Sequence, residues 1–474
     1  MLASFSWMPT LDLVLKNENN KHCTTIYFRT FLICFAIMSL RGWMRLAYPE
    51  FWAEDSTIYF TDAIRDGFSV LFVPRFGTYH FVQRLIAALI VSFMPIGSWA
   101  FWNTLICYVV AATCASAIVC SGCRWLIPSV GARIAVAVML CMVPGLNEML
   151  GNLCNLNWML LLWFALLGLR DPSQKVSILE LLAAFVVTFS LGTAVLLAPL
   201  FAWRLLNCYR KPELKSHRSR TWVLLLLCSV SPLWLAYLNH NGIEGYPSLN
   251  TEGIYSQGFG LLVEHLARLL MMAPWLGMGL QNTIWNLGIG AWFVPILMAV
   301  GVLRLVLRNQ YESKVAVGLY LCGIAVWPVL NWIGRPGALP YFINDVTNVG
   351  ARYAYPLSSA AIIFWMAIIR PETLVGRNRS RISILFIVCN LVAQKTDRSF
   401  TLGPRRRPAP MEKTTYWGEG APALKASLRT GCPRNVFIQS PTPGPSHRWG
   451  VSYQAPVEVP CAVPTWETKS EQHN

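Results

Sequence analysis

Long apolar runs broken by short basic stretches dominate this chain, and that pattern leaves few folds open to it. "FWNTLICYVVAATCASAIVC" and "TWVLLLLCSVSPLWLAYL" each approach the roughly 20 residues needed to cross a bilayer core. A soluble helix of that length carries a polar face, and such faces are missing over most of the first 395 positions. Charged residues make up 13% of the 474 positions, where a soluble domain carries about 25%. The expected fold class is an all-α membrane protein, a polytopic bundle of roughly ten to twelve transmembrane helices. Residues 1–394 are assigned to this bundle, and 395–474 to a polar, proline-rich C-terminal tail.

The formal charge of +16 does not point to nucleic acid, because no folded basic domain remains to bind it. The basic residues sit between apolar segments, where they act as orientation signals. Arg124 and Arg133, Arg170 and Lys175, and "RLLNCYRKPELKSHRSR" (204–220) mark loops on one side; Arg304, Arg308, Lys314, Arg370, Arg377, Arg379 and Arg381 continue the pattern. Loops of the other side hold few basic residues, chiefly Arg65, Arg75, Arg335 and Arg352. The expected topology is multi-pass, with a cytoplasmic N-terminus and a first segment (Thr24 to Ala47) retained as a span.

Several segments depart from simple spans. "FVQRLIAALIVSFMP" is apolar but short, so it reads as a short span or a re-entrant piece. "ILELLAAFVVTFSLGTAVLLAPLFAWRLL" is too long for one span, and a hairpin of two short helices broken at Gly192 accounts for it. "LLVEHLARLLMMAPWLGMGL", with Glu264, His265 and Arg268 on one helical face, suits a helix lying along the interface. Spans are further expected near 287–307, 315–333, 354–369 and 382–394. The tail reads as disordered, or as a cap on the outer face, where "TTYWGEGAPALKASLRTG" forms a short helix. There is no internal repeat.

Most of the 14 cysteines lie in apolar runs and behave as small hydrophobes. The "CSGC" at Cys120 and Cys123 has CxxC spacing but no second pair or histidine beside it to complete a zinc site. No metal site is assigned, and a divalent cation is the one cofactor left open. Phosphate-binding glycine loops, HExxH and GxSxG are absent in the contexts they require, which disfavours a nucleotide-driven enzyme.

The acidic stretch "YPEFWAEDSTIYFTDAIRDG" (48–67) follows the first span and holds Glu54, Asp55, Asp62 and Asp66, four of only 23 carboxylates in the chain. Within an outer loop at 48–80, a carboxylate pair at the lipid–water boundary is placed to deprotonate a hydroxyl. Burial among apolar walls would raise its proton affinity and the nearby Arg41 or Arg45 would lower it. The plainer alternative for Glu54 and Asp55 is a solvated loop charge or helix cap; for Arg41 it is snorkelling to headgroups.

This stretch resembles a group of bacterial polytopic, glucosyltransferase-like proteins with an outer-loop acidic motif, and more broadly the membrane-embedded GT-C glycosyltransferases. "WAEDSTIYFTDAIRDG" is similar to their "AEDG…A…G" stretch, with Ser56 in place of the usual glycine. "GTYHFVQRLIAAL" is similar to the "GYxxxxxRxxA" segment with one residue inserted, "NLCNLNWMLLLW" to an asparagine-rich span start, and "GARYAYPLS" to an "RY…P" segment. The resemblance implies a bacterial inner (plasma) membrane location, a polyprenyl-phosphate sugar donor, an envelope glycan or lipid acceptor, and Asp55 as the base with Glu54 beside it. Arg84, His80, Arg352 and Arg41 would face the donor phosphate, and Tyr353, Asn155, Asn157 and Trp158 the sugar. The alternatives are an interfacial Arg352–Tyr353 anchor, and interhelical hydrogen bonding with an interface tryptophan for Asn155, Asn157 and Trp158. Asp345 reads as an ion-pair partner of Arg352, a metal ligand or a solvated loop acid. From a different class, a transporter or flippase of lipid-linked glycan fits the same hydropathy; it would favour repeats and helices broken at the midplane.

Overall fold

The structure is a computed structural model, which describes residues 18–51, 55–74, 79–143, 146–240, 311–334, 355–369, 416–430, 435–439 and 450–454, with isolated positions between 241 and 310. Thirteen helices of the bundle are numbered here: α1 (Glu18–Arg41), α2 (Trp43–Ala47), α3 (Thr61–Asp66), α4 (Phe81–Phe93), α5 (Trp99–Ser116), α6 (Val130–Leu140), α7 (Leu146–Met149), α8 (Leu156–Leu169), α9 (Ile178–Ser190), α10 (Ala198–Arg210), α11 (Arg218–His240), α12 (Tyr311–Gly334) and α13 (Tyr355–Ile369). The tail adds α14 (Tyr416–Thr430) and an antiparallel pair, β1 (Asn435–Gln439) with β2 (Gly450–Gln454), in the register Asn435 opposite Gln454.

The chain is predominantly helical and carries helices suited to a membrane. Among the described residues three are long and apolar enough to cross one: Cys23–Arg41, Ile96–Val119 and Glu312–Val329. A fourth is added if the bent pair α9 and α10 counts as one span. Among the described residues this is fewer than the ten to twelve spans expected of the chain. α4, α6 and α8 have 13, 11 and 14 residues. At about 1.5 Å rise per residue they reach roughly 16 to 21 Å, short of the ~30 Å core of a bilayer. Hydropathy alone could not see where these runs break. The spans expected at 287–307 and 382–394, and the interfacial helix around Glu264, lie outside the described residues.

α8 is the hub. It is apolar on all sides, and Trp158 to Leu162 and Phe164 to Leu169 are buried among α5, α9, α10, α12 and α13. α1 buries one stripe (Thr30, Cys34, Met38, Arg41) and turns Phe28, Leu32, Ile33 and Leu40 outward. α9 likewise exposes Ile178, Leu179, Leu182 and Phe185, and α11 Trp222, Val223, Leu226 and Leu233. Apolar faces of this extent are costly in water and suit hydrocarbon.

The α9–α10 hairpin expected at Gly192 is present. A capping box starts α9: the Ser177 hydroxyl accepts from the Glu180 N–H, and Glu180 accepts from the Ser177 N–H. Leu191 is extended, the backbone turns through 120°, and Pro199 sits in the first turn of α10. α12 meets this break at Gly323, where a Cβ would lie 2.1 Å from the Leu196 carbonyl oxygen. Small residues permit such close backbone approach between membrane helices.

The two ends of the bundle differ in chemistry. At one end Arg204 donates to the carbonyls of Arg170 (2.5 Å), Asp171 (3.2 Å) and Gln174 (2.9 Å), and Asp171 donates to the Gly122 carbonyl (2.8 Å). Arg170 pairs with Glu180, and Arg220 caps the Val176 carbonyl. The basic loops 120–133, 170–176 and 204–220 are thus knitted together, with Cys120 and Arg133 near Cys23 in the first half of α1. The acidic stretch gathers at the other end of α1.

Gly42, between α1 and α2, sets that second end. Tyr108 donates to its carbonyl at 2.9 Å, and a Cβ at position 42 would fall 1.9 Å from the Tyr108 hydroxyl oxygen. Gly42→Ala is expected to lower stability by about 1–3 kcal/mol, the usual cost of overpacking. Gly97→Ala, with nothing within 4 Å of its Cβ, is the matched control. Thermal unfolding of both variants in one detergent measures the difference.

Candidate functional site

Asp55 opens a π-helical turn, Asp55–Phe60, that runs directly into α3. Ile58, Tyr59 and Phe60 are buried apolar anchors for this element, and the Thr61 hydroxyl ties it by donating to the Ser56 carbonyl at 2.9 Å. Asp55 itself is 0% exposed. Its carboxylate accepts the backbone N–H of Leu153 on Oδ2 and of Cys154 on Oδ1, both at 2.8 Å. The Asn103 amide on α5 donates to Oδ2 at 3.2 Å and to the Gly151 carbonyl at 3.4 Å.

The turn that supplies these donors is built by its sequence, "GNLCN". Gly151 takes φ +67°, which admits glycine most readily, and a Cβ there would press Thr104 Cγ2 at 2.9 Å. Asn152 accepts the Asn155 N–H on Oδ1 at 3.2 Å and folds the chain into α8. Two successive N–H groups therefore point one way, at an anion, and the anion is Asp55.

A buried polar layer continues from there between Asp55–Asp66, α4 and α5. Tyr59 Oη lies 3.2 Å from His80 Nδ1, with His80 in the left-handed region at φ 50° just before α4. One turn on, Arg84 is 0% exposed; it donates to the Val70 carbonyl and lies 3.5 Å from Asp62 Oδ2. Gln83 donates to Asn157 Oδ1 at the start of α8. Asp62 also meets Arg65 at 3.1 Å, and Arg65 grips Asp66 at 2.7 Å.

Of the residues read from the sequence, Asp55, His80, Arg84, Asn155 and Asn157 come together around this layer. Asp55 is not a loop charge in solvent: it is enclosed. The partners of Arg84 here are Asp62 and a carbonyl. Arg41 does not snorkel; it is buried and donates to the Cys141 carbonyl at 2.6 Å, while Arg45 holds the Leu150 carbonyl. Both arginines clamp the chain on either side of α7. Asn157 makes an interhelical hydrogen bond with Gln83, whereas Trp158 is buried and packs on Trp327 of α12 at 5.3 Å between ring centroids rather than lying at an interface. Glu54, Arg352, Tyr353 and Asp345 lie outside the described residues. Among the described residues no group of three or more His, Cys, Asp or Glu converges in a way that could hold a metal ion.

Sequence reasoning missed Asn103, Tyr59, Gln83 and Asn152, and gave Asp62 no role beyond one acid of the stretch. The signal for Asn103 and Gln83 was present: each is a lone amide in an apolar run, and a buried amide needs a partner.

The class defined by fold and site is a helical membrane protein with an enclosed acidic site at one end. No protein-family model, no curated protein and no solved structure matches this chain.

Two outcomes follow for the site. Asp55→Ala strands the Leu153 and Cys154 N–H groups and should cost about 2–4 kcal/mol of stability, whereas Asn103→Ala, losing one neutral donor, should cost about 1 kcal/mol. Thermal unfolding ranks the two, and equal small losses would contradict the geometry. The hydrogen bonds from Arg65 hold the Asp66 carboxyl below its ordinary value. With the folded-state pKa depressed, this contribution is present above the ordinary carboxylate range, about pH 4, and is lost as pH falls through the lower folded value. Asp66→Asn should therefore be less stable than wild type near neutral pH by no more than about 1 kcal/mol, with the gap closing in acid.

Proposed function

We propose that the chain is a membrane-embedded glycosyltransferase of the GT-C kind, moving a sugar from a polyprenyl-phosphate donor to an envelope glycan or lipid at the outer face of a bacterial inner membrane. The observation that carries this reading is a carboxylate, Asp55, set with Asn103 and the Asp62–Arg84 pair in an apolar interior at the end opposite the basic loops. Ionisable side chains inside a membrane domain are expensive and are kept for function. The likeness of the acidic stretch to that class supplies the donor and the reaction.

In this reading Asp55 accepts the proton of an acceptor hydroxyl. The hydroxyl oxygen bonds to the anomeric carbon, the bond from that carbon to phosphate breaks, and its electron pair leaves on the polyprenyl phosphate. Arg84 and His80 lie in the layer from which a cation could meet that phosphate. The hydroxyl would have to displace one of the donors that now hold Asp55, so the acidic element must open before reaction.

One observation favours a second reading, a transporter or flippase of lipid-linked glycan. The 120° break between α9 and α10 is the kind of interrupted helix that lines transport sites.

The purified chain in lipid nanodiscs, given a polyprenyl-phosphate hexose and envelope glycan, is expected to yield hexosylated acceptor. Asp55→Asn should reduce the yield by about 10²-fold or more in the fraction that remains folded. In proteoliposomes, movement of the lipid-linked sugar across the bilayer with no transfer would instead support the transporter. Mass analysis of envelope glycans from cells with and without the gene extends the test; an unchanged profile contradicts the transferase reading.

A further inference from the structure

The C-terminal tail comes back to the acidic end. Trp417, at the start of α14, is 2% exposed, wedged edge-on against Phe51 (4.7 Å between ring centroids) and stacked on Trp99 (5.8 Å). Its backbone N–H donates to Glu50 at 3.2 Å and its indole N–H to the Ile96 carbonyl at 3.2 Å. Phe51 in turn packs on Phe60 at 4.1 Å, inside the element that Asp55 opens. β1 packs on α14, and β2 lies against both Asp55–Phe60 and α3. Helix and strand pair together form a clasp over the segment that carries Asp55 and Asp62.

We propose that this clasp is a detachable cover: docked through Trp417 it seals the acidic element, and on release it uncovers Asp55 and Asp62. α14 is a poor helix on its own. Gly418, Gly420 and Pro422 fall in its first two turns, and Pro422 lies inside the helix, where it removes a backbone hydrogen bond. Helices this short are marginal in water without a partner surface. The partner surface is met by one narrow stripe, Trp417, Ala421, Leu424 and Ser427, while Pro422, Lys425 and Arg429 face outward. A segment of low intrinsic stability held by a single stripe opens as a unit before the helices beneath it do. α8, buried all round, is the opposite case. The cover concerns access to the carboxylates and is independent of which reaction they serve.

Carbodiimide labelling of carboxyl groups, read by mass spectrometry on the full chain in nanodiscs, tests this without any sugar. In wild type the half-buried Asp66 should label, with Asp55 and Asp62 protected, and the α14 amides should exchange with deuterium faster than those of α8. In Trp417→Ala and in Leu424→Ala, labelling of Asp55 and Asp62 should rise by about tenfold or more, together with exchange of α14. Glu180, buried at the opposite end, should not change. Three results overturn the proposal: α14 as protected as α8 in wild type, α14 released with Asp55 and Asp62 still unreactive, or Glu180 reacting in step with them, which would mean that the bundle opens as a whole.

Discussion

The carboxylate of Asp55, enclosed in an apolar bundle and held by the N–H groups of Leu153 and Cys154 and the amide of Asn103, is the contact on which this end of the molecule depends. A buried charge is tolerated only when hydrogen bonds replace its water. Supplying those bonds dictates the backbone of residues 151–155, the glycine at 151 and the asparagine at 103. It also joins elements distant in sequence, because the acceptor lies after α2 and its donors lie on α5 and before α8. Arg41 and Arg45 brace the same region through the Cys141 and Leu150 carbonyls, so two cations and one anion reach the interior paired with backbone dipoles.

How much of this could be read from the sequence follows from which forces act locally. Apolar composition declared helices in a membrane setting, and the break at Gly192 was legible because its run is too long for one span. The number of spans was not legible. The ends of α4, α6 and α8 are set by packing on neighbours, and hydropathy carries no record of that. At the site, Asp55 stood out because carboxylates are scarce, yet its enclosure did not, since its donors are backbone groups that every residue possesses. Arg84 was noticed as a cation, but its partner Asp62 was passed over as one more acid of the same stretch, although 62 and 84 meet between α3 and α4, 22 positions apart in the chain.

The tail shows the same limit in another form. Its proline and charge content suggested either disorder or a cap. What settles α14 is Trp417, whose ring finds Phe51 and Trp99 more than 300 positions earlier in the chain. The helix is thus specified by its docking site rather than by its own residues. It brings the C-terminal segment to the acidic end of the bundle, away from the loops knitted by Arg204. One end is basic and bound tightly to itself; the other is acidic and covered by a segment that is weak alone. The proposed function places the acidic end at the outer face of the membrane.

The sidedness of those two ends is the most direct test. Ser69, exposed beside the acidic element, and Ser173, exposed among the basic loops, can each be replaced by cysteine and treated in intact cells with a membrane-impermeant thiol reagent. The account predicts that position 69 labels from outside, and that position 173 labels only after the membrane is breached. Labelling of 173 but not 69 from outside would contradict it.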